Sequence, residues 1–215
     1  MRTTIERSLG SPENYRVISS RLRFLHMASS LGIPIPKTQE ITGAEDLQSW
    51  HSINGDAAVL KINHGCAGTG VRISHSPAES IGAFHDLTMK TSMLKAWKQV
   101  AIDRDPLAFW MQQNPVSVEV SIQQLIRGRP ANSMMACLDG KLLGLVSVVV
   151  VAAQSQTGAA VIVRPIKNEL MKRNAGLIAK RLQLTGFYGL DYMIDPDTGI
   201  PILLELNPRC TQLGH

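Results

Sequence analysis

Asp191-Tyr192-Met193-Ile194-Asp195-Pro196-Asp197-Thr198-Gly199-Ile200-Pro201-Ile202-Leu203-Leu204-Glu205-Leu206-Asn207-Pro208-Arg209 reads as strand, turn, strand. Asp191 opens the first strand-like run, Asp195 to Gly199 supplies turn residues, and Ile200 to Leu206 returns as the second strand. Side chains alternate across a strand, so Glu205 and Asn207 face the same way, and Arg209 follows if the strand continues past Pro208. A hairpin turning at Asp197-Thr198-Gly199 lays Asp191 beside that end. Two carboxylates, an amide oxygen and a guanidinium then converge on one small volume. Such oxygens suit a hard cation of the Mg2+ type, and an adjacent arginine suits phosphate. Alone, the segment also reads as a solvated hairpin whose acids keep it soluble, so a second element has to decide.

That element is Val59-Leu60-Lys61-Ile62-Asn63-His64-Gly65-Cys66-Ala67-Gly68-Thr69-Gly70-Val71-Arg72-Ile73, a strand, a glycine-rich loop and a strand. Small residues let backbone N–H groups approach phosphate oxygens, and Lys61, on the strand before the loop, can reach the same oxygens. A Walker-type loop carries its lysine after the glycines and opens a helix, and a dinucleotide fingerprint also runs from strand into helix. Here the loop returns to a β pattern. It reads as a flap over phosphates or, taken by itself, as a tight hairpin.

Composition narrows the partners. A chain of 215 residues can bury a core as one domain or two lobes, and 44% hydrophobic with 18% charged residues is a globular balance. The formal net charge of +5 favours an anionic partner. The basic residues are nevertheless scattered, without a run and with few aromatics among them, which argues against nucleic acid. Cys66, Cys137 and Cys210 are widely spaced and odd in number, so neither a disulfide framework nor a zinc cluster is expected. The N-terminus lacks the apolar run of a signal peptide. Leu142 to Ala153, the longest apolar stretch, is too short to span a bilayer and reads as a buried strand. The default compartment is the cytoplasm, with no membrane partner.

Helix signals cluster in the first part of the chain. Ser11-Pro12-Glu13 starts a helix whose Ile18, Leu22, Leu25 and Ala28 recur at helical spacing until Gly32 and Pro34 stop it. Thr42-Gly43-Ala44-Glu45 and Ser76-Pro77-Ala78-Glu79 read as capping boxes, the span from about 88 to 116 as helix or loop. Strand signals cover Ala57 to Ile62, Gly70 to His75, Val116 to Ile126, Ser133 to Leu138, Lys141 to Ala153 and Ala159 to Arg164, with Asp139-Gly140 as a hairpin turn. A helix presents Leu170, Ala175, Ile178, Ala179 and Leu182 on one side before Gly186. Adjacent hairpin-linked strands beside helices predict an α+β fold with antiparallel sheets.

Lysine, glycine flap and the later acid–turn–Glu-x-Asn-Pro-Arg hairpin together resemble the ATP-grasp superfamily. Ile122-Gln123-Gln124-Leu125-Ile126-Arg127-Gly128-Arg129 looks like its adenine-side hinge, Ser20-Arg21 like its first phosphate-contacting basic position, and Leu31-Gly32-Ile33-Pro34-Ile35-Pro36 like the connection that follows. The resemblance covers residues 11–215, with 1–10 as an extension. It implies an ATP-grasp fold of two lobes with antiparallel sheets clamping the nucleotide. The smaller, flap-bearing lobe would span about 37–122 and the larger, metal-binding lobe about 123–215, with the 11–36 helix packed on the latter.

By the same resemblance the cofactors are ATP and Mg2+, with Mn2+ as a substitute. Arg21 and Lys61 would contact phosphates under a flap that includes Gly65, Gly68, Thr69 and Gly70. The Gln123 side chain and the backbone of Gln124, Leu125 and Ile126 would read the adenine edge. Arg164 is either a phosphate contact or a solvent-exposed strand end. Asp191, Glu205 and Asn207 would hold the metal, and Lys61 and Arg209 would act on the transferring phosphoryl group. The implied activity is ligation of small-molecule carboxylate and amine substrates through an acylphosphate, by an excised unit or a member of reduced size. A catalytically incomplete ATP-binding module is the alternative, and the oligomeric state stays open, a homodimer included. Two departures stand out. Most relatives carry an acid where Gln123 or Gln124 stands, and often a ribose-binding one a few residues later, where Pro130-Ala131-Asn132-Ser133 runs here, which leaves the ribose to Asn132 or to no side chain.

Overall fold

The computed structural model describes residues 11–63, 70–88, 119–154 and 160–211. A 3-10 turn at Pro12–Asn14 leads into the short α1 (Tyr15–Ile18) and then α2 (Arg21–Ser30). The single helix expected from Ser11 is therefore broken at Ser19 and Ser20. Ser11 makes no capping bond; Ser20 is the cap, with extended backbone and an Oγ that accepts from the Arg23 N–H. The break makes Arg21 the first residue of α2.

The first antiparallel sheet contains β1 (Thr38–Ile41), β2 (Ala58–Ile62), β3 (Val71–Ser74) and β4 (Val120–Gln124) in the order β1-β4-β2-β3. Alternation gives it two different faces. Ile41, Ala58, Leu60, Val120 and Ile122 pack with Leu47 and Trp50 of α3 (Ala44–Asn54) and with Phe84 of α4 (Pro77–Thr88). Val59, Lys61, Ser121 and Gln123 occupy the other face, because Val59 pairs with Gln123 and Lys61 with Ser121. These four are buried as well. Ile62 N–H donates to Gly70 O at 3.0 Å, which closes the base of the β2–β3 connection.

The acid that caps α3 is Asp46, one residue beyond the expected Glu45: its Oδ2 accepts from Thr42 N–H, Thr42 Oγ1–H and Gly43 N–H. These bonds hold the Asp46 carboxyl below the usual range. At α4 the Glu79 N–H donates to Ser76 Oγ, and Glu79 reaches back to His75 N–H. A buried polar chain ties both helices to β3. His51 Nδ1 faces Gly55 O and so carries the ring proton, His51 Nε2 accepts from Ser80 Oγ, and Ser80 meets Ser74.

The second antiparallel sheet holds β5 (Arg129–Leu138), β6 (Lys141–Ala153), β7 (Ala160–Ile166), β8 (Gly186–Ile194) and β9 (Pro201–Asn207) in the order β7-β6-β5-β8-β9. Positive φ at Asp139 (48°) and Gly140 (76°) makes the tight β5–β6 turn. One face of this sheet packs against α2, through Phe24, Leu25 and Ala28, and against α5 (Glu169–Leu182), through Met171, Ala175, Ile178 and Leu182. Leu170, expected on that stripe, is exposed; Met171 takes the place, since 171, 175, 178 and 182 share one side of the helix. Of the span expected as helix or loop from 88, everything past Thr88 lies outside the described residues. Among those described, no helix is long and apolar enough to cross a membrane.

Candidate functional site

Asp191 lies inside β8, which starts at Gly186, rather than at its opening. Near the turn the β8–β9 register pairs Tyr192 with Leu203, yet one step further Asp191 pairs with Glu205 and Gly189 with Asn207. Leu204 is thus an extra residue in β9, a β-bulge. Directly paired residues share a face, so the bulge brings Glu205 and Asn207 to the Asp191 side while Leu203 and Leu206 stay with the core. Asp195 stabilises the turn by accepting from Asp197 N–H, Thr198 N–H and Thr198 Oγ1–H.

The Asp191 carboxylate is held from both neighbouring strands. Asn132 Nδ2 on β5 donates to Oδ1, and Asn207 Nδ2 on β9 donates to Oδ2 at 2.8 Å. Asn132 Oδ1 in turn accepts from Thr211 Oγ1–H. Both asparagine amides are oriented by these bonds, and Asn207 keeps its Oδ1, an acceptor, turned from Asp191. Thr211 crosses over Gly189, where a Cβ would sit 2.2 Å from Thr211 Cγ2. Gly189→Ala is accordingly expected to cost about 1–3 kcal/mol by overpacking and to displace the Thr211–Asn132 pair. Urea unfolding reads the loss, and unchanged stability would contradict the close approach.

Glu205 meets the small sheet through Arg21. Arg21 Nε and Nη2 donate to Glu205 Oε2 at 3.0 and 2.7 Å, while Nη1 donates to Ile62 O at 2.8 Å. The Arg21 backbone N–H donates to Asn63 Oδ1, and Asn63 Nδ2 donates to the Glu119 carboxylate. One guanidinium thereby joins the end of β2 to β9. Lys61 stands a residue earlier on β2, 8% exposed.

Electrostatics show that these groups feel one another. Burial lowers the Lys61 ammonium to about 8, with Glu205 and Asp191 supporting its charge and Arg21 opposing it. Burial first, and then the neighbouring Glu205 carboxylate, raise Asp191 to about 7. Burial raises Glu205 too, but Arg21 and Lys61 outweigh it, and its carboxyl ends below the usual range. The two carboxyls titrate as a pair, in which Arg21 and Lys61 favour the charge on Glu205 and burial disfavours it on Asp191. A buried carboxylate pair of this kind is what a divalent cation relieves. Among the described residues no three His, Cys, Asp or Glu side chains gather, so a cation here could draw on two carboxylates and the Asn207 amide oxygen. Such hard oxygens fit Mg2+.

Other expected residues fall elsewhere. Arg209 lies beyond the strand, which ends at Asn207; it is exposed, and its Nη1 donates to Cys210 O. Pro208 has no N–H to extend the ladder, so Arg209 does not join the cluster. Arg164 is exposed on the edge strand β7 and pairs with Val149, on the face opposite Asp191. Gln123 shares the Lys61 face but is only 2% exposed, its amide bound to Thr38. The Gln124 N–H is committed to Lys37 O, leaving its carbonyl as the candidate contact. Leu125 and Ile126 run half-buried into β5. Gly128 is needed there, because a Cβ would lie 2.4 Å from Ile194 O. Gly70 is described and buried, whereas Gly65, Gly68 and Thr69 lie outside the described residues. Sequence reasoning missed Asn132, Thr211 and Asn63 as anchors. Asn132 alone carried a signal, a polar residue in the apolar alternation of β5.

No protein-family profile matches the sequence, and no curated protein matches it. Solved structures do match. A biotin carboxylase–βγ-ATP complex from Campylobacter jejuni superposes with TM-score 0.69 at 15% identity, over 95% of this chain and 43% of that one. A D-alanine–D-alanine ligase from Bacillus anthracis complexed with ATP gives 0.62 at 19% identity, over 96% and 59%. The ATP-grasp ligase PsnB, complexed with a phosphomimetic variant of a minimal precursor, Mg and ADP, gives 0.57 at 16% identity, over 96% and 55%. The chain thus spans about half the length of the structures it matches. Two antiparallel sheets in this order, matched over nearly the whole chain, identify the protein as one with the ATP-grasp fold.

Proposed function

We propose that the chain is an ATP- and Mg2+-dependent ligase unit that activates a carboxylate as an acylphosphate for attack by an amine or similar nucleophile. One observation carries this reading: Arg21 bonds both Glu205 and the end of β2, and the buried Lys61 feels the charges of Glu205 and of Asp191, to which Asn207 donates. Phosphoryl transfer depends on positioning and on neutralising spread negative charge more than on a general base, and this cluster has that composition. Lys61, desolvated among acids, would serve as a point charge for phosphate, with Arg21 beside it. Glu205, the Asn207 Oδ1 and Asp191 would hold Mg2+, or Mn2+ in its place. Once bound, that cation polarises phosphate oxygens, roughly several kcal/mol of stabilisation at sites of this type. Arg209 lies outside this cluster and would steady the transferring phosphoryl group only by turning its exposed side chain from Cys210 O. The substrates would be a small-molecule carboxylate and an amine, and a cytoplasmic location suits an ATP-dependent ligase.

A second reading, an ATP-binding module short of catalysis, draws on the hinge segment, where Gln123 and Gln124 stand without a carboxylate. The test is ADP release with Mg-ATP across amino acids and small carboxylic acids, with hydroxylamine to trap an acylphosphate as hydroxamate. Acid-stimulated release with hydroxamate supports the ligase. ATP binding that no acid stimulates supports the module, and no binding of Mg-ATP at all sinks both.

A further inference from the structure

Gln123 sits directly opposite Thr38 on β1 and Val59 on β2, two residues along β4 from Ser121, the partner of Lys61. It is therefore on the Lys61 face, at the end of β4 that leads into Leu125 and Ile126. A glutamine amide has two chemically opposite ends, one accepting and one donating, and rotation about its last bond exchanges them. Here the environment chooses. Thr38 Oγ1–H donates to Pro36 O at 3.0 Å, a carbonyl that can only accept. Its single proton is committed, so toward Gln123 the Thr38 oxygen can only accept. It does so from Gln123 Nε2 at 3.2 Å. The end left over is Oε1, which takes no hydrogen bond from the described residues.

We propose that Thr38 is a positioning residue that locks the Gln123 amide with its oxygen presented to the nucleotide base, so that the site selects a 6-aminopurine over a 6-oxopurine nucleotide. The proposal rests on the ATP-binding reading above. An oxygen at this place accepts from an exocyclic amino group. Against a 6-oxo group it sets acceptor on acceptor, which leaves two buried lone-pair groups unsatisfied. Without the lock, the amide turns its NH2 outward and accommodates the 6-oxo base. Base selection thus depends on a hydroxyl that itself need not touch the base.

Calorimetric titration of the full chain with ATP and with ITP, which differ only at the purine 6-position and the adjoining N1 proton, tests this in the presence of Mg2+. Wild type is expected to prefer ATP. Thr38→Val is expected to narrow the ATP:ITP affinity ratio by about fivefold to tenfold, the worth of one oriented hydrogen bond. Thr38→Ser, which keeps the hydroxyl, restores the ratio. Whatever the backbone contributes to base recognition is common to all three proteins and cancels. A ratio that stays put in Thr38→Val overturns the proposal, as does wild type binding both nucleotides equally; either outcome leaves the ATP-site reading intact. If Thr38→Val does not fold, Gln123→Leu reads the same ratio from the other partner, and an ATP:ITP ratio there equal to that of wild type overturns the proposal. Absence of binding by either nucleotide overturns the site reading and the proposal with it.

Discussion

Glu205→Gln is expected to lower Mg-ATP-dependent ADP release by at least about a thousandfold while moving the melting temperature by only ~2–4 °C. The two effects separate because Glu205 has two jobs. As the carboxyl that Arg21 and Lys61 hold below the usual range, it would be the strongest ligand of the cluster for a cation. Losing a few kcal/mol of charge stabilisation in the transition state is worth roughly that factor in rate. As a structural group it accepts two bonds from Arg21, whose side chain is 13% exposed. Glutamine still offers Arg21 an oxygen, so the stability lost is about 1 kcal/mol, equivalent to a few degrees in a chain of this size. Glu205→Ala behaves differently. It leaves a largely enclosed guanidinium without its carboxylate and is expected to destabilise by about 2 kcal/mol or more. ADP-release kinetics beside thermal melts check both variants, and a glutamine variant that melts as early as the alanine variant would falsify this division of roles.

Lys61→Met is expected to abolish most nucleotide affinity and yet leave the ligand-free protein at least as stable as wild type. Burial works against the ammonium, lowering it from 10.5 to about 8. Between those values the unfolded chain binds the lysine proton and the folded chain does not, so stability rises with pH across that window. Below about 8 the lysine is protonated in both states, and the cost of enclosing its charge is present in full. Methionine fills similar space without that charge and removes a net cost on the order of 3 kcal/mol, in which the attraction of Glu205 and Asp191 is already counted. Urea melts at several pH values give the comparison: wild type should gain stability between about 8 and 10.5, and Lys61→Met should lack that increment. A methionine variant less stable than wild type at pH 7, with the same slope above pH 8, would show instead that Lys61 is a net stabilising ion-pair partner.

Much of the architecture was legible because its signals are local. Asp139-Gly140 forces a hairpin wherever it falls between strands, and the apolar run after it is β6. The glycine connection after Lys61 does return as a strand. Where reading failed, neighbours decided. The helix starting at Ser11 breaks because Ser20 caps a second start, and that break sets Arg21 against Glu205. Leu170 looks like a core residue by type, but the stripe facing the sheet runs through Met171. Gln123 was legible as a polar residue near the end of a strand, whereas the direction of its amide depends on Thr38, far away in the chain. Arg209 was placed by proximity in sequence, but its position is set by where β9 ends, while Arg164 is exposed on β7, as one of its two readings had it.

By itself the sequence determined that a carboxylate and an amide separated by one residue would share a face of the last strand, since alternation within a strand needs nothing from outside it. It also determined that a lysine would precede a glycine connection. It did not determine that Asp191 would join Glu205. The turn sets Tyr192 against Leu203, and continuing that register would pair Asp191 with Leu204, turning Glu205 to the opposite face. Only the bulge at Leu204, stabilised where Leu203 and Leu206 both reach the core, shifts the count by one residue and brings the two acids together. Parity along one strand is a property of the chain, whereas parity between strands is decided by packing.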